Sequence, residues 1–363
     1  MTAPVHCHAA MSWSADPSCI AIFQALNLGD LLCTTPALRA IRGRFPAAEI
    51  TFIGRPWAED FVARLSTVDR FLPFPGFPGI AESPCDAAQT VPQWPRFDLV
   101  IQMHGSGEVS NGFVAALEAT HSVGFGPPGD RRLTTALNWV ESEPEPLRWL
   151  RLAEAVGAAP AGLHLEFPVT AAELATVTAL IGPPNERPVI GLHVGASDPH
   201  RRWPADSFAG LGDRLTERRQ ARIILTGSEQ ERPITASLRR MMTAAAIDLA
   251  GMTDLGELAA VISTLDLLVT NDTGVSHVAA ATRTPSIVLF GPTRPDRWAP
   301  LDRRRHRVID ATSYPGAPAD GAAALQALSV DDVLAACLAL ADPSAPESVE
   351  NRFLDQERIA WAG

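Results

Sequence analysis

Lysine is missing from the chain: all 30 of its basic residues are arginine. The absence excludes a Schiff-base lysine and the lysine of a Walker A phosphate loop. Any fixed cation that meets a phosphate must then be a guanidinium, with its planar fork of donors. Long apolar runs are missing too: none reaches the roughly 18 residues of a membrane-spanning helix. The opening stretch MTAPVHCHAAMSWSADPS has no basic segment followed by an apolar core, so residues 1–18 read as a flexible tail and not as a signal peptide. The expected address is the cytoplasm. The five cysteines, Cys7, Cys19, Cys33, Cys85 and Cys337, are scattered without metal-ligand spacing, which fits reduced thiols. A formal charge of -11 argues against a general nucleic-acid binder, which would carry a basic face.

What is present is length and alternation. The 363 residues exceed one ordinary core and fit two domains. Strand-like and helix-like segments alternate in two series, the pattern of parallel α/β sheets. The first, over residues 19–180, opens with a strand at 19–24 and predicts a helix over 31–44, where Pro36 is tolerated in the opening turn. Strands near 49–53, 70–72, 98–102 and 121–125 continue it, and residues 73–95, rich in proline and glycine, read as a long loop. The second series, over 188–342, predicts strands near 188–193, 222–225, 247–249, 266–269 and 286–289. Its helices are expected near 205–219, 232–244, 254–263, 275–282 and 329–341, and residues 343–363 read as a tail packed on one of the domains. Ligands of open α/β sheets bind outside the carboxyl ends of the strands. Chemistry is therefore expected in the loops that follow strands, with the two domains facing each other across a cleft.

Four polar clusters fall in such loops. In ALNLGDLLCTTPALRAI (25–41), Gly29 allows a close turn and Asp30 stands at a helix start, where capping and catalysis both suit a carboxylate. One glycine is not the GxGxxG of a dinucleotide site. In HVGASDPHRRWP (193–204), small residues let the backbone approach a ligand, Ser197 adds a hydroxyl, and Arg201 and Arg202 add charge. That suits phosphate oxygens, and also an ordinary exposed loop. In LTGSEQER (225–232), Glu229 or Glu231 can accept from ribose hydroxyls or simply open a helix, and nearby Met252 can pack on a base or fill core. In LVTNDTGVSHVAAA (268–281), polar residues crowd a strand-to-helix turn. No HxH, CxxC or HExxH partner lies near Asp272 and His277, and no GxSxG elbow accompanies them, which disfavours a metal site and a hydrolase triad. What remains is Asp-Thr-Gly at a helix N-terminus, which favours an anion such as a diphosphate, with a simple N-cap as the alternative.

Taken in order, NLGDLLCTTPALRAI, HVGASDPHRRWP, LTGSEQER, LAGM, NDTGVSHVAAA and FGPTRPDRW (290–298) resemble glycosyltransferase family 9, the heptosyltransferases of the bacterial lipopolysaccharide inner core. The similarity runs from about Cys19 to Trp298. It implies a GT-B fold of two Rossmann-like domains, the first binding the acceptor and carrying the catalytic carboxylate at Asp30, the second binding the donor. It also implies ADP-heptose as donor, inversion of the anomeric centre, and no metal or other cofactor. Carried over residue by residue, the donor's phosphates fall to Ser197 and Arg201, its ribose to Glu229 and its adenine side to Met252. Its sugar and diphosphate fall to Asp272, Thr273, Gly274 and His277, while the family usually has lysine where this chain has Arg201. A membrane-anchored, anionic glycolipid acceptor would bring transient contact with the inner face of the cytoplasmic membrane, for which Arg39, Arg42 and Arg44 are candidates. Two other readings stay open: a nucleotide-sugar epimerase or hydrolase on the same fold, and a sugar-nucleotide-binding protein without turnover.

Overall fold

The computed structural model describes residues 11, 13–74, 76, 94–183 and 185–340. The expected tail at 343–363, most of the tail at 1–18, most of the loop at 73–95, and Cys7 and Cys85 lie outside the described residues. The chain divides into two compact units, Met1–Pro168 and Val169–Gly363.

In the first unit, β1 (Cys19–Phe23), β2 (Glu49–Gly54), β3 (Arg70–Pro73), β4 (Leu99–Gln102), β5 (His121–Phe125) and β6 (Thr135–Leu137) form a sheet in the order β3-β2-β1-β4-β5-β6. In the second, β7 (Val189–His193), β8 (Arg222–Thr226), β9 (Ala246–Asp248), β10 (Leu267–Asn271), β11 (Ser286–Phe290) and β12 (His306–Asp310) form one in the order β12-β11-β10-β7-β8-β9. All these pairings are parallel. Each sheet thus has the doubly wound order 3-2-1-4-5-6, and strand order reverses between β1 and β4 in one unit and between β7 and β10 in the other.

The central strands are apolar throughout instead of alternating, because helices cover both faces of a parallel sheet. VIGLH of β7 and LLVTN of β10 are buried along their whole length. Ala21, Phe23, Ile53 and Val100 anchor one core; Leu192, Phe208, Leu225, Val269 and Leu289 anchor the other.

Several elements differ from the sequence reading. The helix expected over 31–44 is two helices, Leu28–Cys33 and Thr35–Arg44. Pro36 has no N–H for the Leu32 carbonyl, and the Thr35 hydroxyl donates to that carbonyl instead, at 2.8 Å. The short strand β6 and the arginine-flanked β12 carry too little apolar pattern to stand out. Helices Ser110–Ala116, Glu145–Ala155, Ala171–Ile181 and Gly321–Ala327 were also not expected. Helix Ala171–Ile181 belongs to the second unit, although the sequence reading closed the first domain at 180. It packs on helix Leu255–Ser263 through buried Val177 and Ile181.

Among the described residues no single helix is long and apolar enough to cross a membrane. The apolar pair Gly321–Ala327 and Val330–Leu340, bent by 79°, faces the second core with Leu325, Val333 and Cys337. Burial pushes the Cys337 thiol up to about 12. Cys19, Cys33 and Cys337 form no disulfide.

The turn after β11 rests directly on main chain. A Cβ on Gly291 would lie 2.6 Å from the Gly321 carbonyl oxygen, and one on Gly321 would lie 2.5 Å from that of Gly291. Backbone cannot swing aside as a side chain can, so Gly321→Ala is expected to cost about 1–3 kcal/mol of unfolding free energy. A urea midpoint equal to that of the unaltered chain would show that the two segments can separate freely.

Candidate functional site

In the second unit the strand-order reversal brings together the loops after β7 and β10. Asn271, the last residue of β10 and wholly buried, ties them to each other. Its Oδ1 accepts from the Trp203 N–H at 2.9 Å, and its Nδ2 donates to the carbonyls of Val194 at 3.0 Å and Gly195 at 3.4 Å. Trp203 is pinned at its far end by Nε1 donating to the Leu328 carbonyl at 3.0 Å. Arg202 folds back to donate twice to the Ala196 carbonyl, at 2.9 and 2.5 Å, and so closes its own loop. Arg201 lies between two carboxylates instead: its Nε is 4.0 Å from Asp198 Oδ2 of its own loop and its Nη1 is 4.0 Å from Asp272 Oδ2. The Arg201 Nε is buried and has no hydrogen-bond partner among the described residues. A buried donor of this kind is costly unless an acceptor meets it. Ser197 is exposed on the same loop.

Helix Gly274–Thr282 begins directly after β10. Thr273 holds the N-cap position with φ -153° and ψ 170°, yet its hydroxyl caps no amide of the helix. The N-cap alternative for Thr273 is therefore not realised by its side chain, and the helix starts just after Asp272, the carboxylate 4.0 Å from Arg201. Burial pushes the Asp272 carboxyl up, against the pull of the Thr293 hydroxyl and the Arg201 guanidinium. His277 is buried in the same helix, edge-on to Trp298 with ring centroids 6.3 Å apart. Desolvation lowers its pKa to about 4, so near neutral pH it is an uncharged hydrogen-bonding group.

The neighbouring loops separate two glutamates that the sequence left equivalent. Ser228 donates from N–H and Oγ to Glu231 Oε2, at 2.8 and 2.9 Å, so Glu231 caps its own turn. Glu229 stays exposed, 3.0 Å from Arg232, and its carboxylate occupies the space beside Gly251, where a Cβ would lie 2.2 Å from Oε2. Gly251, with φ +67°, leads to Met252, which is 55% exposed and so fills no core. Strands β10, β7, β8 and β9 are consecutive neighbours. From Thr273 to Met252 the carboxyl edge of the sheet thus spans three strand gaps, roughly 14 Å at about 4.8 Å each. That edge offers cationic donors at one end and a carboxylate beside an exposed thioether at the other.

In the first unit Asp30 is the third residue of helix Leu28–Cys33, half-buried, and its Oδ2 accepts from the Asn27 N–H at 3.3 Å. The capping role anticipated for it is present. The loop after β4 brings His104 to this segment, a residue the sequence reading passed over; its Nδ1 accepts from the Ala25 N–H at 3.1 Å. Arg39, Arg42 and Arg44, considered for a membrane surface, are engaged within the unit. They pair with Glu166, Asp69 and Asp16, and Arg39 and Arg42 also donate to backbone carbonyls. Among the described residues no three His, Cys, Asp or Glu side chains are grouped to hold a metal ion.

Asn271→Ala would strand one buried N–H and two carbonyls, and is expected to cost about 2–4 kcal/mol; an undiminished urea midpoint would count against the clamp. A pH dependence follows from His277 and His306, both lowered to about 4 by burial. The unfolded chain takes up these protons below about pH 6.5 and the folded chain does not until about 4. Stability from this source is complete above that window and falls through it on acidification, by up to about 1.4 kcal/mol per pH unit for each histidine. Urea titrations between about pH 7 and about pH 5 should show the loss, and His306→Gln should reduce it.

Glycosyltransferase family 9 (heptosyltransferase) matches this chain over residues 94–318. The lipopolysaccharide heptosyltransferase 2 of Escherichia coli K12 is 25% identical over 317 residues, which cover 79% of this chain and 86% of that protein. Among solved structures, a glycosyltransferase family 9 protein of Veillonella parvula DSM 2008 has a TM-score of 0.75 at 20% identity, covering 89% of this chain and 97% of that one. An E. coli heptosyltransferase solved with ADP has a TM-score of 0.66 at 19% identity, covering 89% and 99%. The structural likeness shows the fold that the resemblance implied, two parallel-sheet α/β units of the GT-B kind. The matched residues take in every loop of the second unit described above, and the chain is a glycosyltransferase that belongs to glycosyltransferase family 9.

Proposed function

We propose that the chain is an inverting heptosyltransferase that moves heptose from ADP-heptose to the inner core of lipopolysaccharide, with Asp30 as general base and no metal or other cofactor. The observation that carries this reading is the helix start at Thr273 and Gly274, left without a side-chain cap, with Arg201 Nη1 4.0 Å from the preceding Asp272. It is an anion site at a strand-order reversal, where a departing diphosphate would be held. The E. coli relative's name and the ADP of the solved heptosyltransferase support the donor and acceptor chosen.

The acceptor oxygen attacks the anomeric carbon from the side opposite the diphosphate, and Asp30 takes its proton, a contribution of about 10²–10⁴-fold. Inversion follows from one in-line displacement. Negative charge grows on the diphosphate as the bond breaks, and Arg201, Ser197 and the helix N-terminus stabilise it where it develops. Arg201, in place of the family's usual lysine, offers a fork able to grip two oxygens at once. Glu229 accepts from the ribose hydroxyls, Met252 packs on the adenine, and Asp272 and His277 hold the sugar. Such an acceptor is lipid-anchored, which assigns the reaction to the cytoplasmic face of the inner membrane.

The test uses purified protein, ADP-heptose and lipopolysaccharide from E. coli cells lacking their heptosyltransferase 2, with EDTA present. Heptose transfer is expected, with Asp30→Asn slowing it by about 10²–10⁴-fold while ADP binding persists. Arg201→Ala should weaken ADP binding by roughly tenfold or more, about 1.4 kcal/mol. Free heptose released without acceptor would mark a hydrolase, and donor binding without turnover a binding protein. Full activity in Asp30→Asn would leave Asp30 as a cap alone.

A further inference from the structure

Beyond the backbone bond from the Met103 N–H to the Phe23 carbonyl at 2.8 Å, an imidazole ties the loop after β1 to the carboxyl end of β4. His104 Nδ1 accepts from the N–H of Ala25, two residues beyond the end of β1, at 3.1 Å. With Nδ1 accepting, the ring proton sits on Nε2. The ring also lies flat on Phe23, the last residue of β1, with centroids 5.1 Å apart and planes 8° from parallel. The backbone of His104 is held as firmly: its carbonyl accepts from Gln102 Nε2 at 2.7 Å and from Ser110 Oγ at 2.9 Å. Only Leu26 separates Ala25 from Asn27, whose N–H is bound by Asp30 Oδ2 and whose carbonyl accepts from the Leu31 N–H at 3.0 Å. At the far end, the Thr34 hydroxyl closes the helix on the Leu31 carbonyl at 2.7 Å.

The same device appears in the other unit. There a side chain from the end of β10, Asn271, holds backbone in the loop after β7. Here a side chain just beyond β4 holds backbone in the loop after β1. In each unit the fourth strand of the sheet grips the loop of the first, at the point where strand order reverses.

We propose that His104 is a positioning residue for glycosyl transfer: through its Nδ1 bond to Ala25 it sets where the Asp30 carboxylate stands. The inference rests on the reading of Asp30 as general base. Losing the bond lets the segment 25–27 shift, and a displacement of about 1 Å at a reacting group costs up to roughly 100-fold in rate. The donor loops belong to the second unit and do not contain these residues, so donor affinity is left as it was.

Two substitutions separate the hydrogen bond from the ring stacking. His104→Phe keeps an aromatic ring against Phe23 and removes the acceptor; His104→Asn keeps an acceptor near the Nδ1 position and removes the ring. With ADP-heptose and the truncated lipopolysaccharide named above, His104→Phe is expected to lower kcat by roughly 10- to 100-fold, with KM for ADP-heptose within about twofold of the unaltered chain. His104→Asn should recover most of that kcat. The reverse order, with Phe active and Asn impaired, would assign the ring a packing role and overturn the proposal, as would unaltered kcat in His104→Phe or equal losses in both variants. An ADP thermal shift on each variant reports that the second unit is folded. Asp30→Asn is run alongside: a normal rate there removes the general-base reading itself, whereas an inactive Asp30→Asn with a normal His104→Phe removes only the role of His104.

Discussion

One buried carboxamide holds together the loops at the strand-order reversal of the second unit. Where parallel strand order reverses, two neighbouring loops leave the sheet in opposite directions, and nothing in the sheet ladder binds one to the other. Asn271 fills that gap with two donors and an acceptor, all used on backbone groups of the loop after β7. Aspartate could not donate there and leucine could neither donate nor accept. Once the loop is fixed at Val194, Gly195 and Trp203, Arg202 can close on Ala196, and Arg201 is presented to Asp272 and the start of the next helix.

That arrangement gives the site its charge without lysine. A guanidinium stays protonated in a partly buried setting where an ammonium could lose its proton, so an arginine-only chain can still present a fixed positive charge beside a buried carboxylate. Asp272 and His277 are both shifted toward their neutral forms. Burial holds His277 uncharged near neutral pH and works against ionisation of Asp272. Arg201 and the helix N-terminus then carry the positive potential, and His277 contributes shape and hydrogen bonding without competing charge.

The two units solve the same problem with different side chains. In both, the segment after the first strand of the sheet carries groups assigned to chemistry, Asp30 at a helix start in one and Ser197 and Arg201 in the other, and in both a side chain at or just beyond the end of the fourth strand steadies that segment. An imidazole does this with its bond to Ala25 and a stacked ring, and a carboxamide does it with bonds to Trp203, Val194 and Gly195. The polar contacts that order these loops are made to backbone, which makes them independent of the identity of the residues they hold.

Much of this was legible in the sequence, because parallel strands read as continuous apolar runs and functional loops as the polar clusters after them. The central strands, the placement of Asp30 near a helix start, and the run from HVGASDPHRRWP to FGPTRPDRW could be located that way, since each depends on residues close together in the chain. β6, β12 and several helices could not, because three-residue or charge-flanked segments take their structure from neighbours. The role of Glu231 was within reach of local pattern, because Ser228 and Glu231 have capping-box spacing, whereas the difference between Arg201 and Arg202 was decided only by how the folded loop places the Ala196 carbonyl. The two arginines are chemically alike and adjacent, so only the carbonyl that Arg202 reaches distinguishes it from Arg201. Asn271 and His104 belong to the same class. Their partners lie 68 to 79 residues away, a distance over which local pattern carries no information and only the pairing of β1 with β4, and of β7 with β10, brings the atoms together.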